Sequence, residues 1–465
     1  MLMLGGLFAK AIGAFYRIPL ANLLGGYGMG LYQMAYPLFC VLLTFSSTGI
    51  PSALSRTIAG ETARGEEDGG TVKSACKLFA LLGLVGSLLM CLVSPLMATL
   101  QQDESLRFCY FMLAPSVFLV ALIAVLRGYF QGKRQMAPTA LSEIVEQIVK
   151  AGVGLFFAYR YRANPALAAA YTLFAVTMSE VVALFFLFLC YKREWHVRRL
   201  RVRTPSGFSI LALAVPVMAA ASLLPLSQTV DSIVIVRLLS GYSDNAVGLY
   251  GLLSGGALAL VGLPATVCYG LAAAAVPSVS AATARGETDE ARRRAMYALS
   301  LTLLCAVPCS LGLLFLARPI VALLYPALSQ SDAVLLVKLV RLTAISATFL
   351  AGVDTLAACL TGMGRAKRAA GAMFIAVVAK FILQFLLVSD PRFGIAGAAA
   401  AANLCYLIAF FLDLLYTMSK EKKHDYDYRS RRRRQRAESQ PCGNRENEGG
   451  GRGALPHSGR SHMGA

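Results

Sequence analysis

Long apolar stretches separated by short polar loops run through most of this 465-residue chain. Most of the stretches reach roughly 20 residues, the length an α-helix needs to cross about 30 Å of hydrocarbon. The pattern predicts an all-α integral membrane protein with about twelve transmembrane helices. Two spans are longer than one crossing requires, so we expect tilting, bending or extension into the cytoplasm there. The predicted spans are 2–21, 30–53, 75–98, 107–126, 137–158, 167–190, 208–239, 247–275, 296–317, 333–360, 369–388 and 394–417, the over-long ones being 208–239 and 333–360.

The composition agrees with a membrane protein. Hydrophobic residues make up 57% of the chain, charged residues 15%, and the mean hydropathy is +0.61. A soluble domain carries about a quarter charged residues. The first span contains Lys10 and Arg17 and ends without a small-residue cleavage site, so we predict no cleavable signal peptide.

Two short motifs recur about half-way along the chain. Thr-Ala-Arg-Gly-Glu occurs at 62–66 and 283–287, and Gly-Leu-Tyr occurs upstream of each copy, at 30–32 and 248–250. Such internal repetition is typical of transporters whose two homologous bundles rock around a central site. We therefore predict two homologous six-helix lobes. The predicted boundaries are 1–195 for the first lobe, 196–207 for a basic cytoplasmic linker, 208–418 for the second lobe and 419–465 for a basic disordered tail.

Charge alternates from loop to loop. With a cytoplasmic N-terminus, the inside loops hold 20 basic residues and the outside loops hold 5, before the tail is counted. The positive-inside rule therefore predicts a multi-pass plasma-membrane protein with both termini in the cytoplasm. The tail has 12 Lys and Arg against 6 Asp and Glu. We interpret it as a segment that contacts anionic lipid head groups, and we expect no nucleic-acid partner.

Motifs of enzymes and metal sites are missing from the sequence. Neither GxxxxGK[ST] nor HExxH occurs, and the cysteines are scattered without a CxxC pair. The histidines all lie in predicted cytoplasmic segments, at His196, His424, His457 and His462. We predict a protein that is not an enzyme, with no catalytic residues, no metal site and no cofactor.

Several ionisable residues fall within or at the ends of predicted spans. A charge at mid-membrane costs several kcal/mol and should therefore face a wet cavity or a partner. Basic groups outnumber acidic ones in the first two spans, which favours a cationic lining for an anionic substrate, while structural ion pairs between helices are the alternative. The candidates for this lining are Lys10, Arg17, Arg56, Asp231 and Arg237.

The fifth predicted span carries a second pattern. Glu143, Glu146, Gln147 and Lys150 recur at three- and four-residue spacing, which places them on one face of a helix. That face either lines a polar interior or lies at the cytoplasmic end with local ion pairs. The spacing does not decide between the two.

The opening residues resemble a known family. They are similar to the stage V sporulation protein B-like branch of polysaccharide-biosynthesis flippases, and so are several residues of the second half. The similar residues are Phe15-Tyr16-Arg17-Ile18-Pro19-Leu20, Leu24-Gly25 and Ser47-Thr48-Gly49-Ile50-Pro51 in the first half, and Asp231, Arg237-Leu238 and Val276-Pro277-Ser278 in the second half. The resemblance covers residues 1 to about 418. It implies membership of the multidrug/oligosaccharidyl-lipid/polysaccharide superfamily, with two six-helix lobes in a V shape and alternating access.

The resemblance also implies a substrate. Relatives flip undecaprenyl-pyrophosphate-linked sugars, including the peptidoglycan precursor lipid II, and engage the pyrophosphate through cavity arginines and an acidic residue. By resemblance Arg17, Arg56 and Arg237 take this role, with Asp231 and Lys10 as further substrate-binding candidates. Many relatives have fourteen spans, whereas we expect twelve here, followed by the basic tail.

The predicted function is therefore a flippase for a lipid-linked sugar in cell-wall or polysaccharide synthesis, and the family resemblance implies a link to sporulation. We expect a monomer, contact with cell-wall synthesis enzymes, and coupling to the membrane potential, H⁺ or Na⁺. A cation-coupled multidrug exporter of the same superfamily is one alternative. The cavity of such an exporter should be acidic, whereas the first two predicted spans contain no Asp or Glu. A non-transporting scaffold for cell-wall synthesis is the other alternative, and it gives no reason to keep buried charges.

Overall fold

The computed structural model describes residues 2–44, 50–63, 69–194 and 207–419. These residues form α-helices and one short π-helical segment, joined by short turns, and contain no strand. Up to Met418 the chain forms one compact unit. The predicted all-α membrane fold is confirmed. The predicted lobe boundaries stay a prediction, and most of the basic linker and nearly all of the tail lie outside the described residues.

The described residues of the first half form six helices. The longest, α1, runs 42 residues and is broken only at Gly25, whose φ of 66° leaves the helical region. The helix continues past the predicted end of the first span, about residue 21, as far as this break. The helices are α1 Leu2–Leu43, α2 Ile50–Ala63, α3 Gly69–Leu100, α4 Ser105–Gly132, α5 Met136–Arg160 and α6 Pro165–Glu194.

The second half, as far as the structure describes it, contains nine helices and the π-helical segment Leu252–Ala257, which joins α8 to α9. The predicted span 333–360 is two helices that meet at an angle of 48°. Bending was one of the expected solutions for this over-long span, and it is confirmed. The helices are α7 Gly207–Leu239, α8 Ala246–Gly251, α9 Leu258–Ala284, α10 Thr288–Phe315, α11 Ala317–Leu324, α12 Gln330–Thr343, α13 Ser346–Gly362, α14 Ala366–Val388 and α15 Gly394–Met418.

Within the described ranges, eight helices are long and apolar enough to cross a membrane, or nine if the bent pair α12–α13 is one span. Three predicted spans are not among these helices. Spans 2–21 and 30–53 correspond mainly to the parts of α1 before and after its break, and span 137–158 corresponds to α5. Charged residues within α5 lower its apolar content, and these residues prove to line a cavity. Lipid-facing surface is evident on α3, where Val85, Leu88, Leu92 and Leu96 are all exposed along one stripe.

The two halves use the same helix contacts. In the first half α4 packs against α2, α3 and α6, and α5 packs against α6. In the second half α13 packs against α9, α10 and α15, and α14 packs against α15. The turns that precede α5 and α14 are also alike: Arg134 and Gly364 both have positive φ, 60° and 75°, and each follows the last helical glycine by two residues. The matching turns show which residue of α5 corresponds to which residue of α14 in the internal repeat.

The second copy of the repeated pentapeptide forms the turn between α9 and α10. Gly286 has a φ of 78° and ends α9 in the left-handed conformation. Arg285 donates two hydrogen bonds of 3.0 Å to the Glu287 carboxylate. These bonds hold the pKa of Glu287 below its ordinary value. This copy of the motif therefore serves turn geometry, and the first copy lies partly outside the described residues.

The two Gly-Leu-Tyr motifs meet where the halves cross. A Cβ on Gly26 would lie 3.4 Å from the carbonyl oxygen of Gly248, and a Cβ on Gly251 would lie 2.5 Å from the backbone nitrogen of Gly30. Only glycine permits such a close approach of α1 and α8. We call the contact among Gly26, Gly30, Gly248 and Gly251 the glycine seam.

Candidate functional site

A cavity of about 1160 Å³ lies between the two halves. Residues of α1, α4 and α5 line one side, and residues of α7 and α9 line the other. Among the described residues, the first half supplies every charged group in the wall, while the second half supplies mainly small and apolar side chains. The charged lining residues are Arg17, Arg127, Glu143, Glu146 and Lys150.

The polar face of α5 looks into this cavity. Glu143, Glu146, Gln147 and Lys150 all line it. The first of the two interpretations of their spacing, a face that lines a polar interior, is therefore confirmed. α5 has the period of an amphipathic helix because one side contacts α6 and the other borders this polar space.

Arg127 and Glu146 join α4 to α5 across the wall. An Arg127 nitrogen and a Glu146 oxygen are 2.9 Å apart, and both side chains are largely buried. Arg127 also donates to the Ser142 hydroxyl at 3.0 Å, and the Gln147 amide donates to Glu146 at 3.2 Å. Each charge of this pair is thereby neutralised by its neighbour, which leaves the pair a structural element of the wall.

Arg17 and Lys150 differ from that pair. Arg17 is half-buried on α1, one residue from the cavity-lining Tyr16, and Lys150 is 9% exposed. Within the part of the chain that the structure describes, neither side chain has a hydrogen bond or an ion pair. Two cationic groups therefore face the same cavity without a described carboxylate at contact distance. Such groups are costly in a membrane unless an anion meets them.

Aromatic side chains complete the wall. Tyr32 and Tyr36 stack with ring centroids 5.6 Å apart, and they lie with Tyr16 and Tyr269 on the cavity surface. Tyrosine offers an apolar ring face together with a hydroxyl, which suits contact with a sugar ring as well as with an apolar ligand.

The remaining candidates from the sequence lie elsewhere. Asp231 accepts a 2.6 Å hydrogen bond from Lys380 and is an ion pair between helices. This is the structural alternative considered above, although the partner is Lys380 and not Arg237. Arg56 and Arg237 are exposed and are not part of the cavity lining. Lys10 belongs to α1, but its side chain lies outside the described residues.

The predicted span 107–126 leaves Arg127 in the following cytoplasmic loop. This placement is wrong, because α4 continues to Gly132 and Arg127 pairs with Glu146 from within that helix. Lys150 was recognised as part of a polar face but was not singled out for binding. The signal that separates it from its neighbours is the lack of a partner among the described residues, and only the packing of other helices reveals this.

Two family models match the chain. The model described as "Polysaccharide biosynthesis protein" covers residues 1–281, which is more than half of the chain. The chain belongs to the polysaccharide biosynthesis protein family. A second model, MatE, covers residues 216–386. Together with the eight or nine apolar helices of the described residues, this family assignment makes the chain a multi-pass membrane protein.

Relatives from Bacillus subtilis agree with this family. The chain is 27% identical to stage V sporulation protein B over 419 residues, which is 86% of this chain and 79% of the relative. It is 21% identical to lipid II flippase MurJ over 454 residues, or 91% of this chain and 82% of the relative. These similarities support the predicted family resemblance.

Solved structures share the fold. An inward-facing multidrug resistance MATE family transporter superposes with a TM-score of 0.72 at 15% identity, covering 92% of this chain and 96% of that one. Lipid II flippase MurJ in an inward closed conformation superposes with a TM-score of 0.68 at 17% identity, covering 90% and 87%. At these identities the likeness concerns the fold alone.

Proposed function

We propose that this family member flips an anionic lipid-linked sugar, of the undecaprenyl-pyrophosphate type, across the plasma membrane. The observation that carries the proposal is the cavity between the halves with two cations, Arg17 and Lys150, that have no partner among the described residues. A pyrophosphate needs several positive groups in a site of low dielectric constant, and an arginine binds it through two parallel hydrogen bonds.

The rest of the cavity suits such a substrate. Its volume of about 1160 Å³ is larger than a pyrophosphate needs and leaves room for sugar rings against Tyr32 and Tyr36. The lipid tail would stay in the bilayer. The two halves would then rock about their contact so that the cavity opens to alternate sides.

The remaining expectations complete the proposal. Both termini lie in the cytoplasm, the basic tail contacts anionic lipids, and transport is coupled to the membrane potential or to H⁺ or Na⁺. The protein acts as a monomer, with cell-wall synthesis enzymes as neighbours. These expectations are based on the charges of the loops and on the family resemblance.

Export of cationic compounds is the second candidate. Glu143 and Glu146 line the cavity together with four tyrosines, and this combination favours a cation. The first two spans suggested a cavity without carboxylates, but α5 supplies two. Because Glu146 is already paired with Arg127, however, its charge is less available to a ligand.

The experiment compares Arg17 variants in proteoliposomes that contain a fluorescent undecaprenyl-pyrophosphate-linked sugar. We expect Arg17→Ala to reduce flipping by at least about tenfold and Arg17→Lys to recover only part of it, because lysine keeps the charge but loses the bidentate geometry. Arg107→Ala is the control, since Arg107 is exposed on α4 and does not line the cavity.

Two results would count against the proposal. Wild-type protein that flips no pyrophosphate-linked lipid but concentrates a cationic dye would favour the exporter. Normal flipping by Arg17→Ala with a lowered melting temperature would assign Arg17 a structural role.

A further inference from the structure

Lys150 and Lys380 occupy the same position of the internal repeat. Each is the fifteenth residue of its helix, counted from the start of α5 and of α14. The turns before the two helices have the same hydrogen bonds: Gln135 donates to the Phe130 carbonyl at 2.9 Å, and Arg365 donates to the Leu360 carbonyl at 2.8 Å. The register that pairs the two lysines therefore rests on backbone geometry and not on sequence similarity alone.

Their surroundings are opposite. The Lys380 amine donates to Asp231 at 2.6 Å and to the Ser227 hydroxyl at 2.9 Å, and both acceptors belong to α7. Lys150 has no hydrogen bond or ion pair to any residue that the structure describes. The second half supplies a carboxylate and a hydroxyl to its lysine, whereas the described residues of the first half make no hydrogen bond or ion pair to theirs.

The missing partner of Lys150 can be traced to Gly13. Asp231 lies 17 residues before Gly248 of the second Gly-Leu-Tyr motif, and Gly13 lies 17 residues before Gly30 of the first. The packing agrees with this count. A Cβ on Gly13 would lie 3.1 Å from the Gln147 side-chain oxygen, so Gly13 faces α5 about one turn before Lys150.

The residue that corresponds to Ser227 is Ala9, by the same spacing. Ala9 and Gly13 both line the cavity. The first half thus replaces the hydroxyl and the carboxylate that hold Lys380 by a methyl group and a hydrogen atom. Neither a methyl group nor a hydrogen atom can accept a hydrogen bond from Lys150, which lines the same cavity.

We propose that Lys150 binds the substrate anion together with Arg17, and that the first half is the anion-binding half because Gly13 stands where the second half has Asp231. This inference rests on the proposed function for the identity of the substrate, but not for the chemistry of the site. Two cations in one wall, neither paired with a described residue, fit a group with about two negative charges, such as a pyrophosphate ester, better than a monoanion.

The test introduces an aspartate at position 13 of the first half, which corresponds to Asp231 of the second half. Gly13→Asp supplies Lys150 with an internal carboxylate, and Gly13→Asn adds a side chain of the same size without charge. The atom nearest to a Cβ at this position is the side-chain oxygen of Gln147, the end of a flexible side chain that can move aside. Binding of undecaprenyl pyrophosphate and of inorganic pyrophosphate to full-length protein in detergent is measured, with undecaprenol as the uncharged probe.

We expect Gly13→Asp to weaken binding of both pyrophosphate probes by about tenfold, and Gly13→Asn to change it by less than about threefold. Lys150→Met should weaken binding as Gly13→Asp does. Lys380→Met is the matched variant at the other repeat position, and we expect it to lower the melting temperature with little change in the affinity of the protein that remains folded. Lys150→Met decides the matter if Gly13→Asp does not fold.

The possible failures are distinguishable. Equal affinities of wild type, Gly13→Asp and Lys150→Met for inorganic pyrophosphate would overturn the inference, as would equal losses in Gly13→Asp and Gly13→Asn. If wild type binds undecaprenyl pyrophosphate no better than undecaprenol, the proposed function fails. The anion site then stands if the variants still rank as expected with inorganic pyrophosphate, and falls if they do not.

Discussion

Lys380 on α14 and Asp231 on α7 form a largely buried ion pair with an N–O distance of 2.6 Å. The pair joins helices that are separated by more than a hundred residues in sequence, and the Ser227 hydroxyl accepts a second hydrogen bond from the same amine. The second carboxylate oxygen of Asp231 is buried without a hydrogen-bond partner among the described residues. The stability of this carboxylate therefore depends on Lys380.

Removing the lysine should destabilise the protein. Lys380→Met leaves the Asp231 charge without a partner, and breaking one side of a buried pair costs roughly 3 kcal/mol. We expect a clear fall in melting temperature of the purified protein. The double variant Lys380→Met with Asp231→Leu removes both charges and should recover most of the loss. A double variant as unstable as the single one would show that packing, and not the stranded charge, causes the effect.

The turn of the repeated pentapeptide gives a second prediction. Gly286 has a φ of 78°, and a Cβ added there would meet no atom within 4 Å, so backbone strain and not a clash limits substitution. Gly286→Ala should cost about 1 kcal/mol, because the left-handed conformation is unfavourable for alanine. Gly286→Asn should cost less, since asparagine tolerates that conformation.

The matched control is Gly371→Ala. Gly371 lies in the interior of α14, has no positive φ and likewise has open space where a Cβ would lie. Alanine there should be neutral or stabilising by up to about 1 kcal/mol. Thermal unfolding in detergent compares the variants. Equal melting temperatures for Gly286→Ala and Gly371→Ala would contradict the assignment of the pentapeptide to turn geometry.

The glycine seam gives a third prediction. A Cβ on Gly30 would meet the Val247 backbone and side chain, and a Cβ on Gly251 would meet the backbone of Gly26 and Gly30. Gly30→Ala and Gly251→Ala should therefore prevent the close approach of α1 and α8. We expect the two halves to separate at this end of the molecule.

Cross-linking can measure that separation. Asn22 accepts a hydrogen bond of 3.2 Å from the Ala327 backbone, so cysteines at these two positions should form a disulfide in a cysteine-free background. Gly30→Ala should reduce its yield several-fold. Gly152→Ala is the control, because a Cβ on Gly152 would meet no atom within 4 Å. An undiminished yield in Gly30→Ala would mean that the seam tolerates a methyl group.

Apolar periodicity predicted the helices well, and the charges inside the membrane only in part. The spacing of Glu143, Gln147 and Lys150 fixes their common face, since that face is a property of one helix. Which of these residues keeps its charge is a property of several helices. Arg127 reaches Glu146 from α4, and Asp231 reaches Lys380 from α7, at sequence separations that no local pattern contains.

The two repeated motifs, which indicated an internal duplication, have different structural roles. The described copy of the pentapeptide shapes a turn through Gly286 and the Arg285–Glu287 contact. The Gly-Leu-Tyr motif proved to mark the contact between the halves, because glycine permits close backbone approach. Arg17 lines the cavity as predicted from the first span, whereas Arg56 is exposed at its position on α2.

Membrane orientation is the last prediction. Asp244 lies in the turn between α7 and α8, and Lys367 lies near the start of α14; both side chains are exposed. The asymmetry of 20 basic residues in the inside loops against 5 in the outside loops places residue 244 outside and residue 367 inside. In a cysteine-free background, Asp244→Cys should react with an impermeant maleimide in intact cells, and Lys367→Cys should react only after permeabilisation. Each variant is also labelled after permeabilisation, so that an unreactive cysteine is not mistaken for an inaccessible one. Labelling of residue 367 in intact cells would invert the topology, and with it the side from which the cavity takes its substrate.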